Sequence, residues 1–245
     1  MKWFAALLLA SAESHSIYNV IINSFGTTES RLDKRTEDGV IATSLDTQNV
    51  GSLHFNEVTV VSAHNAHANS FAAGNNMVKQ LATNQKFSVY HSLKNVGVRG
   101  LLLDIEYDNQ HNDIRLVHGS VDFNRFSDVL EQEIAPFLDE DPGAIITIDL
   151  ETRGDRSKLL GRLRQVFGRS TSFSNRIFRI TDPMWKRHKD WPMIKELRKA
   201  DQRVLLLVDS FELQSDELGI MWRNDIVIVS TIISCLYCTL TQQKL

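Results

Sequence analysis

Two histidines and two acidic residues fall where apolar runs would end as strands: VTVVSAHNAHAN carries His64, GVRGLLLDIEY carries Asp104 and Glu106, and IRLVHGS carries His118. An imidazole has an ordinary pKa of about 6.5, so one of a pair can stand neutral as a base while the other is charged as an acid near neutral pH. Such a pair beside carboxylates implies proton transfer of the kind that cleaves a phosphodiester. The pattern recurs further on, where AIITIDLE ends at Glu151 and RVLLLVD ends at Asp209. A parallel barrel produces this when its chemistry lies at the carboxyl ends of its strands. Any one such residue alone is an ordinary strand terminus leaving the core for water. That plainer reading suits Asp209 better than His64 or His118.

The elements that must position these groups alternate between strand and helix. Glu57 to Ala63 reads as a strand, Asn75 to Ala82 and Val89 to Val96 as helices, and Val98 to Glu106 and Ile114 to Val117 as the next strands. Ser127 is a candidate cap for a helix whose apolar positions Val129, Leu130, Ile134, Phe137 and Leu138 keep to one side, stopped by Asp141-Pro142-Gly143. Ala144 to Leu150 is almost wholly apolar, as expected of a strand covered on both faces. Leu159, Leu160, Leu163, Val166 and Phe167 form a helical stripe, and Arg203 to Asp209 is a further strand. Strands separated by helices imply parallel pairing through right-handed crossovers.

The chain has 245 residues and a formal charge of -3, enough for one sizeable core and without the basic excess of a nucleic-acid binder. No protein partner is implied. The basic clusters at Arg162 to Arg169 and Lys186 to Lys189 read as solvated faces, with anionic lipid headgroups as the sharper alternative. Lys2, the apolar run Trp3 to Ala10 and the small residues Ala10-Ser11-Ala12 read as an export signal over 1–12, hence a secreted protein. Residues 13–52 read as a polar extension. The two cysteines, Cys235 and Cys238, lie in SCLYC and lack the second pair of a zinc site.

Taken together, SAHNAHAN, NVGVRGLLLDIEY, DIRLVHGS and AIITIDLET resemble, in content, order and spacing, the X domain of phosphatidylinositol-specific phospholipase C and its phosphodiesterase relatives. The resemblance runs over 53–225 and implies an α/β fold, a TIM-type barrel in which a neighbouring hydroxyl attacks phosphorus. It implies that His64 lies near the attacking hydroxyl and that His118 protonates the leaving oxygen. It also implies Asn65, Asp104 and Glu151 as oxygen ligands of a divalent cation, calcium ahead of magnesium. The substrate class it implies is a phospholipid or related phosphodiester at a membrane surface. One departure is Leu102, where cation-dependent members carry a further carboxylate. Glu106, on the same strand face, is the candidate replacement. Arg99 reads as structural, and His67 and Asn69 as a polar loop.

Five strands are counted by Asp209 where a closed barrel needs eight. Residues 226–245 turn to an apolar tail, IVSTIISCLYCTLTQQKL in its main part, shorter than a comfortable membrane span. The barrel is therefore open to being incomplete at its C-terminus. A catalytically silent or truncated binding module, and a glycerophosphodiesterase or sphingomyelinase-like relative, stand as alternatives.

Overall fold

A computed structural model describes residues 50–58, 60–168, 172–179 and 191–223. The expected export signal, the extension up to 49, the cluster Lys186–Lys189 and the tail 226–245 lie outside the described residues.

The centre of the fold is β2, Gly100–Asp108, and β5, Ile146–Arg153, paired in parallel over seven positions from Gly100↔Thr147 to Glu106↔Arg153. Strand alternation sends Leu101, Leu103 and Ile105 of β2, and Ile146, Ile148 and Leu150 of β5, into one core where none is more than 1% exposed. Each such side chain contributes roughly 1.5–3 kcal/mol of apolar burial. Helices cover this face: Val89–His91 running on as Ser92–Val96 (α3), the continuous Phe126–Val129, Leu130–Ile134 and Ala135–Glu140 (α4), and Arg156–Gly168 (α5). α4 begins at Phe126 with Arg125 as its cap, two residues before the expected cap at Ser127.

β6, Val204–Val208, and β7, Ile220–Trp222, extend the sheet in parallel beyond β5. On the other side of β2 the sequence expectation of parallel pairing fails. β3, Asp113–His118, is antiparallel to β2, and β4, Val121–Arg125, is antiparallel to β3, so the run from Gly100 to Arg125 is a meander. The polar stretch Asp108 to Asp113 is short enough for a hairpin and too short for a crossover, which needs about a dozen residues. β4 and β7 had no counterpart in the sequence reading. The described strands form an open, seven-stranded sheet in the order β4-β3-β2-β5-β6-β7, with β1 on β2.

β1 is only Ser62–Ala63, the last part of the strand expected from Glu57. It pairs in parallel with Gly100 and Leu101. Two short helices follow, α1 at Ser70–Ala73 and α2 at Met77–Leu81. A second, smaller apolar group of Phe55, Phe178, Trp191, Ile194 and Leu197 packs on Leu205, Leu207 and Met221, the sheet face away from α3, α4 and α5. Arg99 proves structural. It is buried over the Phe137 ring and donates to the carbonyls of Leu93 and Val98 at 2.8 and 2.9 Å.

Candidate active site

β1 and β3 share one edge of β2, and the site grows out of the space between them. β1 pairs as far as Leu101, while β3 pairs down to Ile105 opposite Leu116. His64 is the first residue past β1, and His118, two residues past Leu116, is carried back along β2 towards Leu103. Both histidines therefore arrive beside the edge of β2 at Leu102 to Asp104 that neither β1 nor β3 covers, where the Leu102 carbonyl accepts from Ala66 N–H at 3.1 Å. Asp104 lies within electrostatic reach of both imidazoles.

The turn that carries His64 away from β1 passes through Asn65 at φ 49°, left-handed backbone that asparagine tolerates better than most residues. Asn65 is buried, and its Oδ1 has no hydrogen-bond partner. Further along the loop, Asn69 Oδ1 caps α1 through Ala72 N–H at 2.8 Å and its amide donates to Ala66 O at 3.0 Å. His67 is wholly buried, edge-on to Phe123, with Nε2 donating to Val117 O at 2.9 Å. Burial, with smaller contributions from His118, His64 and Arg153, pushes its pKa down to about 4. His67 thus ties the loop after β1 to the backbone immediately before His118. Its role was not legible as a polar loop.

His118 is half-buried, and its Nδ1 lies 2.7 Å from Ala82 O. A carbonyl can only accept, so Nδ1 carries the proton there and Nε2 is the ring nitrogen left for other partners. His64 is exposed, and its own carbonyl is held by Gln85 Nε2 at 2.7 Å. The segment between the histidines thus clamps both: one end of the Ala82–Gln85 turn holds the ring of His118 and the other the backbone of His64.

On the sheet face opposite α3, α4 and α5, β2 presents Leu102, Asp104 and Glu106, and β5 presents Asp149, Glu151 and Arg153, in register. Asp104 is buried, and its carboxyl is raised above the ordinary carboxylate range by burial first and by Glu151 second. Arg153 opposes this: its Nη2 lies 2.7 Å from Asp104 Oδ2, and its Nη1 donates to Gly119 O at 3.0 Å. One step lower, Asp149 accepts from Arg223 Nη2 at 2.6 Å and Nε at 2.9 Å, and burial still raises its carboxyl. Glu151 is exposed at the mouth. Glu106 is half-buried at the rim beside Gly154, one pleat above Asp104.

Arg153, Asp149, Arg223 and His67 were missed as site residues. For the first two a signal existed, since Asp149 and Arg153 stand two residues either side of Glu151 and so share its face. Asp209 keeps its plain reading: it accepts from Thr152 Oγ1 at 2.6 Å and fastens the end of β5.

A hard cation would suit the oxygens of Asn65, Asp104 and Glu151: one is a buried carbonyl oxygen lacking a donor, and the two carboxylates repel one another. Among the described residues no group of three or more His, Cys, Asp and Glu forms a metal cage. One oxygen of Asp104 is already matched by Arg153. Asn65, Asp104 and Glu151 would be the donors to such a cation, with Asp104 shared with the Arg153 guanidinium.

An open α/β sheet with its ionisable groups at the carboxyl ends of parallel strands is a TIM-type barrel in part. The family model described as PI-PLC X 1 matches residues 51–222, and the chain belongs to the PI-PLC X domain family. A PI-PLC X domain-containing protein of Arabidopsis thaliana is 31% identical over 187 residues, 71% of this chain and 41% of that protein. The chain thus spans less than half of that relative's length. A phosphatidylinositol-specific phospholipase C of Staphylococcus aureus matches in fold with a TM-score of 0.51 at 15% identity, over 69% of this chain and 52% of that one. The enzyme of Listeria monocytogenes gives 0.49 at 18% identity, over 64% and 53%. Here too the chain covers about half of the solved proteins.

Proposed function

We propose that the chain is a phosphoric diester hydrolase that acts on a phospholipid or related headgroup at a membrane surface, exported by the signal read at 1–12. The observation that carries this reading is that His64 and His118 both lie within electrostatic reach of Asp104, with the Nδ1 of His118 engaged on Ala82 O so that Nε2 is the nitrogen left for proton exchange. His64 takes the proton of a headgroup hydroxyl as its oxygen bonds to phosphorus. His118 gives a proton to the departing lipid oxygen as that P–O bond breaks. Arg153 supplies a positive charge where negative charge gathers on the non-bridging oxygens. Asn65, Asp104 and Glu151, with Glu106 at the rim, would hold a divalent cation, calcium ahead of magnesium, which when bound adds further charge neutralisation.

The test is release of phosphorylated headgroup from mixed phospholipid vesicles in calcium, magnesium or chelator, comparing the chain with His64→Ala and His118→Ala. Release that falls at least about a hundredfold in each variant supports the hydrolase. No release from any lipid by the folded chain refutes it and leaves a binding module.

A further inference from the structure

The placement of His64 rests on few bonds. β1, which carries it, is held to β2 by two rungs, and the residue that follows it, Asn65, turns through left-handed backbone. A single hydrogen bond adds little to the stability of a whole fold, yet beside two rungs it is a sizeable part of what holds this turn. That bond comes from Gln85, whose Nε2 donates to His64 O at 2.7 Å across 21 residues of chain. Gln85 is itself locked through its backbone. Its N–H donates to Ala68 O at 3.0 Å, beside Asn84 N–H at 2.7 Å, and its carbonyl accepts from Ser70 N–H at 3.0 Å. With both backbone groups fixed, the side chain of this half-buried glutamine reaches back to the start of the loop. Ordering a long side chain loses rotamer entropy that offsets much of what one bond contributes. The bond therefore does little for stability, and its consequence is geometric.

We propose that Gln85 is a positioning residue of the reaction, fixing the backbone of His64 relative to the ring of His118. The other end of the same turn supplies the second support, since Ala82 O accepts from His118 Nδ1 at 2.7 Å. Both histidines are thus held from the two ends of the Ala82–Gln85 turn, and its covalent length sets their spacing. The turn is braced in its own right. Ala82 N–H donates to Lys79 O at 3.0 Å, and Thr83 Oγ1 donates to Gln80 O at 2.9 Å. Base and acid must serve two oxygens of one phosphorus, so a shift of either histidine alone misaligns the transfer, and a displacement of about 1 Å can lower a rate about a hundredfold. An amide suits this place because it donates to a carbonyl without bringing a charge beside the base, whereas a carboxylate would offer the carbonyl only acceptors. The inference rests on the hydrolase reading, and it adds a residue that acts through His64.

The experiment measures headgroup release by the full chain from vesicles of equal parts phosphatidylinositol, phosphatidylethanolamine and phosphatidylcholine. Gln85→Met keeps the length of the side chain and removes the donor. It should lower kcat at least about tenfold, with KM changed less than about twofold and the thermal transition unchanged. Gln85→Lys, which restores a donor at that reach, should return kcat to within about threefold of the wild-type value. In a His64→Ala background, Gln85→Met should lower release less than about twofold further, because a residue that acts through His64 has nothing left to position. Equal kcat in the wild-type chain and Gln85→Met, a loss in Gln85→Lys as deep as in Gln85→Met, or a further loss of about tenfold in the His64→Ala background overturns the inference. A fall in kcat matched by a loss of folded protein also overturns it, giving Gln85 a structural role alone. No release from any lipid by the folded wild-type chain defeats the hydrolase proposal and this inference with it. Wild-type release that Gln85→Met leaves untouched defeats this one alone.

Discussion

Arg153 Nη2 sits 2.7 Å from Asp104 Oδ2, joining two residues whose backbones are two register positions apart on β5 and β2. Asp104 is only 5% exposed at its side chain, whereas Arg153 is 37% exposed. The aspartate is thus the fixed partner, and the arginine reaches in from the mouth. Removing the arginine leaves a buried carboxylate without its cation. Arg153→Met should lower headgroup release about tenfold to a hundredfold in chelator and recover part of it in millimolar calcium. Paired assays in calcium and chelator check this, and equal loss in both would assign Arg153 a role unrelated to charge.

Leu102 occupies the face shared with Asp104 and stands in register with Asp149. Leu102→Glu should place a third carboxylate near Asp104 and Glu151. Calorimetry should then find calcium bound at least about tenfold more tightly, and the thermal transition of the calcium-free protein should fall. Unchanged calcium affinity would dissociate this face from cation binding.

Burial of His67 sets a pH window for stability. Its folded pKa of about 4 lies below the ordinary 6.5, so the unfolded chain binds more protons between these values. The stabilisation is fully present above about pH 6.5 and is lost as pH falls towards 4, about 3 kcal/mol in all. His67→Phe should flatten that part of the stability curve, measured by urea unfolding at a series of pH values.

Gly100 meets Ser62 where β1 joins β2: a Cβ there would overlap Ser62 Oγ and lie 2.8 Å from Ser62 Cβ. Gly100→Ala should destabilise the fold by about 1–3 kcal/mol and reduce headgroup release beyond what the loss of folded protein explains, because β1 delivers His64. Melting and release measured on the same preparation separate the two effects.

Much of this arrangement was readable from residues alone. β2 and β5 announced themselves as long apolar runs ending in charge, and His64, His118, Asp104 and Glu151 were singled out as candidates because each ends such a run. The antiparallel return of β3 was less visible, since an apolar run carries no sign of its direction. β4, VDFNR, was missed because only Phe123 of its five residues is buried and the alternation has nothing to repeat. His67 and Arg223 owe their roles to partners at Val117 and Asp149, 50 and 74 residues away, contacts that local periodicity does not encode.

The two histidines stand on supports of very different strength. His118 ends a strand flanked by β2 and β4, whereas His64 follows a strand of two residues held to β2 by two rungs. Free energies of local opening follow the number of bonds that must break, so β1 should part from β2 long before the central strands separate. The protein can accordingly lose the placement of His64, the base of the proposed reaction, while its core remains native. Amide exchange at Gly100, which donates to Val61 O at 3.1 Å, would report on the docking of β1 and His64 rather than on global folding.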